Sequence, residues 1–179
     1  MAESKGTAEG IAAGAMDPIF FYRRAKMEDV PALVALRIAF LEEISGAKIS
    51  DSKLDESLAG YFNNGISSGE FVAFLAQADS KVIASSGLVI HRHPPSVNNP
   101  SGREAYIMNM YTVPEYRRRG IATRLLEMLV EYARENGCGK VSLHAMEKGR
   151  AIYLKAGFEA IATRDAAADF VTEKKKLRK

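Results

Sequence analysis

The chain has 179 residues, 47% of them hydrophobic and 26% charged, with a formal net charge of +3. That length suits one domain around one core and leaves little room for two. No apolar run approaches the ~20 residues that span a bilayer, Cys138 as the only cysteine excludes a disulfide framework or cysteine-rich metal site, and basic residues mostly alternate with acidic ones. A cytoplasmic protein with no membrane, nucleic-acid or metal partner is expected, with Cys138 a buried bystander thiol; a homodimer is left open.

Residues 1–17 are rich in Ala, Gly, Ser and Glu without periodicity and read as a flexible leader, neither basic nor apolar enough for a secretion signal. Residues 18–179 form the expected single domain. Ile19–Arg23 reads as a first strand, and Val30, Leu33, Val34, Leu36, Phe40, Leu41 and Ile44 recur at helical steps up to Gly46. A second helix is expected over Leu54–Asn63, ending near Gly65. Phe71–Ala76 and Val82–His91 read as strands joined by a tight Asp79-Ser80 turn. After a loop rich in Pro, Asn, Ser and Gly, Ala105–Val113 is a third central strand, stopped by Pro114. Arg119–Asn136 is the clearest helix, with Ala122, Leu125, Leu126, Leu129, Val130 and Ala133 as its apolar stripe. Val141–His144 is a strand, Lys148–Lys155 a short helix before Gly157, and Phe158–Thr163 and Asp169–Lys174 are closing strands. The lysines from Lys174 onward read as a solvated tail. Strands and helices in this order predict an α/β domain with a mixed sheet.

The segment Val113-Pro114-Glu115-Tyr116-Arg117-Arg118-Arg119-Gly120-Ile121-Ala122-Thr123 carries the chemistry. A strand stops, a basic turn follows, and an amphipathic helix begins at once. The first N–H groups of such a helix lack intrahelical partners, and the helix dipole adds positive potential there. Gly120 and Ala122 leave those groups uncovered, and neighbouring arginines can add charge-assisted hydrogen bonds. A phosphate or pyrophosphate cradle is predicted. The segment has neither the Gly-Lys-Ser/Thr of a P-loop nor the Gly-x-Gly-x-x-Gly of a dinucleotide site.

Arg117-x-x-Gly120-x-Ala122 after a strand ending Val-x-Pro resembles the acetyl-CoA motif of the GNAT superfamily of N-acetyltransferases. Downstream, Leu143-His144-Ala145, Gly149-Arg150 and Tyr153-x-x-x-Gly157-Phe158 are similar to that family's C-terminal signature. The resemblance spans roughly Arg23 to Phe158. It implies a single-domain, mostly antiparallel mixed sheet whose fourth and fifth strands splay apart, flanked by helices, with acetyl-CoA as co-substrate in the gap. It further implies that the backbone of Met110, Tyr111, Thr112 and Val113 binds pantetheine, with the Met110 amide polarising the thioester carbonyl. Arg118, Arg119, Gly120, Ile121, Ala122 and Thr123 would hold the pyrophosphate.

Direct acyl transfer needs a neutral amine, oxyanion stabilisation and a proton for the leaving thiolate. The resemblance implies Tyr153 as that acid. Where histone-modifying members carry a glutamate on the fourth strand, this chain has Tyr106, and where members often carry an asparagine ahead of the tyrosine it has Met146. Glu104, His91, His93, Glu42 and Glu43 are candidate bases, none favoured over a water chain, and His144 is expected to be packed. Tyr106 and Asn109 are expected to face the acceptor, in a pocket under the loop His93–Arg103. The expected function is acetyl transfer to a primary amine of a small molecule or peptide. A non-catalytic acyl-CoA sensor is the alternative.

Overall fold

The computed structural model describes residues 19–161 and 170–177, so the expected leader at 1–17 lies outside it, as do Thr163 and Asp169 at the ends of the two closing strands. The elements are β1 (Phe21–Arg24), α1 (Val30–Ser45), α2 (Ser52–Ser68), β2 (Phe71–Ala78), β3 (Lys81–Arg92), β4 (Arg103–Thr112), α3 (Ile121–Glu135), β5 (Lys140–Met146), α4 (Arg150–Lys155), β6 (Glu159–Ile161) and β7 (Phe170–Lys176), with single 3₁₀ turns between some of them. Their order is the one expected. The strands form one seven-stranded sheet in the order β1-β2-β3-β4-β5-β7-β6. β4 and β5 pair in parallel, and the other neighbours are antiparallel. This is the expected mixed, mostly antiparallel α/β sheet.

Asp79 and Ser80 have φ of 47° and 65°. Two left-handed residues in succession give the hairpin turn whose twist matches its strands. On one face α1 and α2 pack Val30, Leu33 and Phe62 against Phe71, Ala73 and Leu75. On the other, α3 buries Ile121, Leu125, Leu126, Leu129, Val130 and Ala133. Removing side chains of this size from water contributes on the order of 10 kcal/mol, set against the entropy of ordering the chain. Ile121 takes the place expected for Ala122 at the head of that stripe.

Two expectations are corrected. Gly65 does not end α2, which runs on to Ser68 and closes at Gly69. Gly65 instead lets the helix touch the sheet, since a β-carbon there would lie 2.6 Å from Phe71 Cβ. The run from Lys174 is also not a solvated tail. Lys174, Lys175 and Lys176 lie in β7, paired with Ser142, Val141 and Lys140, and the first two are half-buried.

Candidate active site

The site begins with a failure of pairing. β4 and β5 are in register only over Glu104–Ile107 and Lys140–Leu143. Beyond that point the strands part, and β4 from Met108 onward has no described strand on its β5 side. The fork coincides with a bulge in β4. Gly87 pairs with Met108 but Ser85 pairs with Tyr111, so Asn109 and Met110 together oppose Ser86. Asn109 takes up the extra residue at φ 54°, and its carbonyl accepts a bond from Ser85 Oγ at 3.4 Å. Bulges bend a strand and re-aim its side chains. Ala105 and Ile107 face α3, Met108 faces α1 and α2, and after the bulge Met110 joins the α3 side.

At the end of β4, Arg118 and Gly120 have φ of 62° and 78°. α3 starts at Ile121 with no side-chain cap. The amides of Ile121, Ala122 and Thr123 have no intrahelical partner by helix geometry, and nothing lies within 4 Å of where a Gly120 side chain would begin. Arg118 and Arg119 are exposed on this turn. Arg117 is committed elsewhere. Its guanidinium grips Glu43 of α1 at 3.0 and 2.5 Å and the Thr112 carbonyl at 2.8 Å, and stacks over Tyr111. The arginine therefore fastens the turn to α1, while an open rim of amides flanked by two arginines fits an anionic pyrophosphate.

Two pairs of polar side chains flank the fork, one on each face of the sheet. On the α3 face Tyr153, only 9% exposed, directs its hydroxyl to Met110 Sδ at 3.1 Å. On the opposite face the Tyr106 hydroxyl meets His144 Nδ1 at 2.7 Å, bridging β4 and β5 where they separate. Burial pushes the Tyr106 phenol up, so it stays protonated. His144 is thus not the packed residue expected. Val141, Leu143 and Ala145 point into the core, so alternation along β5 turns Ser142 and His144 to the other face.

The carboxylates considered as bases are all engaged. Burial works to raise the Glu104 carboxyl, but hydrogen bonds from Ser142 at 2.5 Å and Lys140 at 2.9 Å together hold it below the usual range. The hydrogen bond from Arg117 lowers Glu43, and that from Lys48 lowers Glu42. His93 lies 3.9 Å from Glu104, and the ring of His91 lies 6.3 Å from that of Tyr106. Cys138 is buried at 5% exposure, and desolvation pushes its thiol up, which suits an inert residue. Among the described residues no group of three or more acidic, histidine or cysteine side chains could hold a metal, and no helix is long and apolar enough to cross a membrane.

Comparison with known proteins bears on this geometry. A glucosamine 6-phosphate N-acetyltransferase from Trypanosoma brucei brucei is 31% identical over 87 residues, covering 49% of this chain and 57% of that protein. The chain therefore spans little more than half the length of that relative. An uncharacterized N-acetyltransferase, YhfO, from Bacillus subtilis is 28% identical over 141 residues, covering 76% of this chain and 88% of YhfO. The crystal structure of a predicted acetyltransferase from Clostridium acetobutylicum with acetyl-CoA superposes with a TM-score of 0.74 at 35% identity, covering 84% of this chain and 95% of that one. Residues 38–158, which hold the forked strands, the basic turn and Tyr153, match the acetyltransferase (GNAT) family, and the chain belongs to it.

Proposed function

We propose that the protein transfers the acetyl group of acetyl-CoA directly to the primary amine of a small molecule or peptide. One observation carries the reading: the β4–β5 fork has a buried phenol on one face and a phenol–imidazole pair on the other. Acetyl-CoA supplies the activated acetyl group. The amides of Arg118–Thr123 and the two arginine side chains hold its pyrophosphate. The unpaired edge of Met110, Tyr111, Thr112 and Val113 binds pantetheine as an added strand, with the Met110 amide directed at the thioester carbonyl.

The amine enters from the α1–α2 face, where Tyr106 and Asn109 border the fork. Its nitrogen forms the new bond to the acetyl carbon as the carbon–sulfur bond breaks. Imidazole is the side chain suited to taking a proton at neutral pH. If His144 Nδ1–H donates to the phenol, Nε2 accepts the proton directly. If the phenol donates to Nδ1, the proton passes through Tyr106 (the tautomer decides). Tyr153, behind the sulfur on the other face, protonates the thiolate and recovers its proton from solvent. A phenol, with an ordinary pKa near ~10, is matched to that task.

The name of the Trypanosoma relative makes glucosamine 6-phosphate the first acceptor to try. The test is release of free CoA thiol from acetyl-CoA across a panel of amino sugars, amino acids, polyamines and peptides. An acetylated amine identified by mass spectrometry supports the reading. Acetyl-CoA binding without acetylation of any panel member would make the chain an acyl-CoA sensor instead.

A further inference from the structure

A cavity beside the acceptor face has a chemical character of its own. It encloses about 770 Å³ at the start of β4 and β5, between the β3–β4 loop and the end of β7. Strand pairing sets its floor. Ser142 pairs with Lys174 and Lys140 with Lys176, so these two of the three β7 lysines share a face with Glu104, Tyr106 and His144. Four lysines, Lys140, Lys174, Lys175 and Lys176, line the cavity, together with His93 and Asn98; Lys175 donates to the Ala156 carbonyl. Glu104 is the one part-buried carboxylate there and is already taken by Lys140 and Ser142; Glu159 is exposed at the rim.

Lys174 is the telling residue. Lys176 donates to Asn98 Oδ1 at 3.1 Å and Lys140 to Glu104, but among the described residues Lys174 makes no close hydrogen bond or salt bridge and has only the longer-range attraction of Glu104, which Lys140 and Ser142 already occupy. It is half-buried, and burial first, then the neighbouring Lys140 ammonium, lowers its pKa against the opposing pull of Glu104. A charged donor held in a cavity against a like charge is destabilising unless an anion completes the site.

We infer that this cavity is an acceptor subsite that binds an anionic group, a phosphate or carboxylate, carried by the amine to be acetylated. The inference rests on the acetyltransferase reading and names its substrate class. Glu104 precedes Tyr106 by two residues and Lys140 precedes His144 by four. At the rise of a strand this places the anion roughly 7–13 Å from the fork where the amine must react. The substrate is therefore a compact amine with its negative charge several bonds away. The strand edge at the fork orients the nitrogen while the lysines fix the other end.

Two measurements test this. First, inorganic phosphate is titrated into the protein with CoA saturating, so that the pyrophosphate turn is already filled, and thermal stability is read. The wild-type protein should be stabilised. Lys174→Gln and Lys140→Gln, each verified as folded by its own melting curve, should lose about 10- to 100-fold in phosphate affinity, as expected for one charge-assisted contact. Second, kcat/KM is compared within matched pairs: lysine against cadaverine for a carboxylate, and glucosamine 6-phosphate against glucosamine for a phosphate. One anionic member should exceed its neutral partner by at least about 10-fold, and Lys174→Gln should erase the difference chiefly through KM. Neutral members used as well as anionic ones, or phosphate binding unchanged in both variants, would overturn the inference while leaving the acetyltransferase reading standing. Lysine-dependent phosphate binding with no amine acetylated would support the subsite and sink the acetyltransferase reading.

Discussion

Gly120 is the position where the pyrophosphate cradle can be tested against its own control. Its φ of 78° is a conformation that an L-residue adopts at a cost of ~1–2 kcal/mol. For a domain of this size that lowers the melting temperature by roughly 2–8 °C. The space beyond its α-carbon is open, so Gly120→Ala and Gly120→Glu should share this strain and fold alike. They should part when acetyl-CoA is added. At 100 times its dissociation constant, the ligand stabilises the native protein by ~2.7 kcal/mol, a rise of roughly 5–11 °C. A glutamate carboxylate about 4 Å from a phosphate oxygen repels it by about 4 kcal/mol at an effective dielectric of 20. Discounted to about 2 kcal/mol for an exposed turn in salt, this weakens binding about 30-fold. The same ligand concentration is then only about three times the dissociation constant, and stabilisation falls to ~0.8 kcal/mol, or roughly 2–3 °C. Thermal denaturation with and without acetyl-CoA reads both quantities. A folded Gly120→Glu protein that keeps the full ligand shift would refute the placement, and a Gly120→Ala protein that loses it would show that shape rather than charge decides.

Tyr153→Phe should keep acetyl-CoA affinity and lower kcat by ~10²–10⁴-fold, the usual worth of general acid catalysis; unchanged single-turnover rates would make Tyr153 a core residue only. His144→Ala should lower kcat while leaving acetyl-CoA affinity unchanged, with Tyr106→Phe showing the same loss only if the proton passes through the phenol. Gly65→Ala should lower the melting temperature, because overpacking against Phe71 costs ~1–3 kcal/mol and exceeds the ~1 kcal/mol gain in helix propensity; a higher melting temperature would show that the contact yields. Asp29, 6% exposed, is held below its ordinary value of 3.8, first by the hydrogen bond from Arg23. Its contribution is present above that value and is lost as pH falls through the lower folded value. Asp29→Asn should therefore cost ~1–2 kcal/mol near pH 7 and remove part of the acid-induced loss below about pH 4, as read by urea denaturation across pH.

The fold was legible wherever local pattern and tertiary demand agree. The α3 stripe follows the helical period because one face meets the sheet along its whole length, and the Asp79-Ser80 hairpin follows from turn chemistry alone. Legibility failed where a residue's purpose lies with a distant partner. Gly65 resembles a helix stop until Phe71 is seen against it. The β7 lysines resemble a tail because their pairing with β5 depends on a register that no local signal in Lys174–Lys176 announces. His144 was within reach: Val141-Ser142-Leu143-His144-Ala145 alternates, and a strand with its apolar residues inward must turn the histidine outward. Its bond to Tyr106, across 38 residues of chain, was not.

The bulge at Asn109 explains how one strand can serve both faces of the proposed reaction. In an unbroken strand the two-residue period would put Met110 on the same face as Tyr106 and Met108. The inserted residue reverses that parity. Met110 reaches Tyr153, while Tyr106, before the bulge, keeps its hydroxyl on His144. The proposed proton acceptor and the proposed proton donor therefore stand on opposite sides of the gap, as a direct transfer requires when the nucleophile approaches from one side and the thiolate departs on the other. The cost is one non-glycine residue at positive φ, and asparagine is among the side chains that tolerate it best. The bulge also falls where the β4–β5 pairing ends, so the feature that separates the two proposed proton-handling groups coincides with the gap between them.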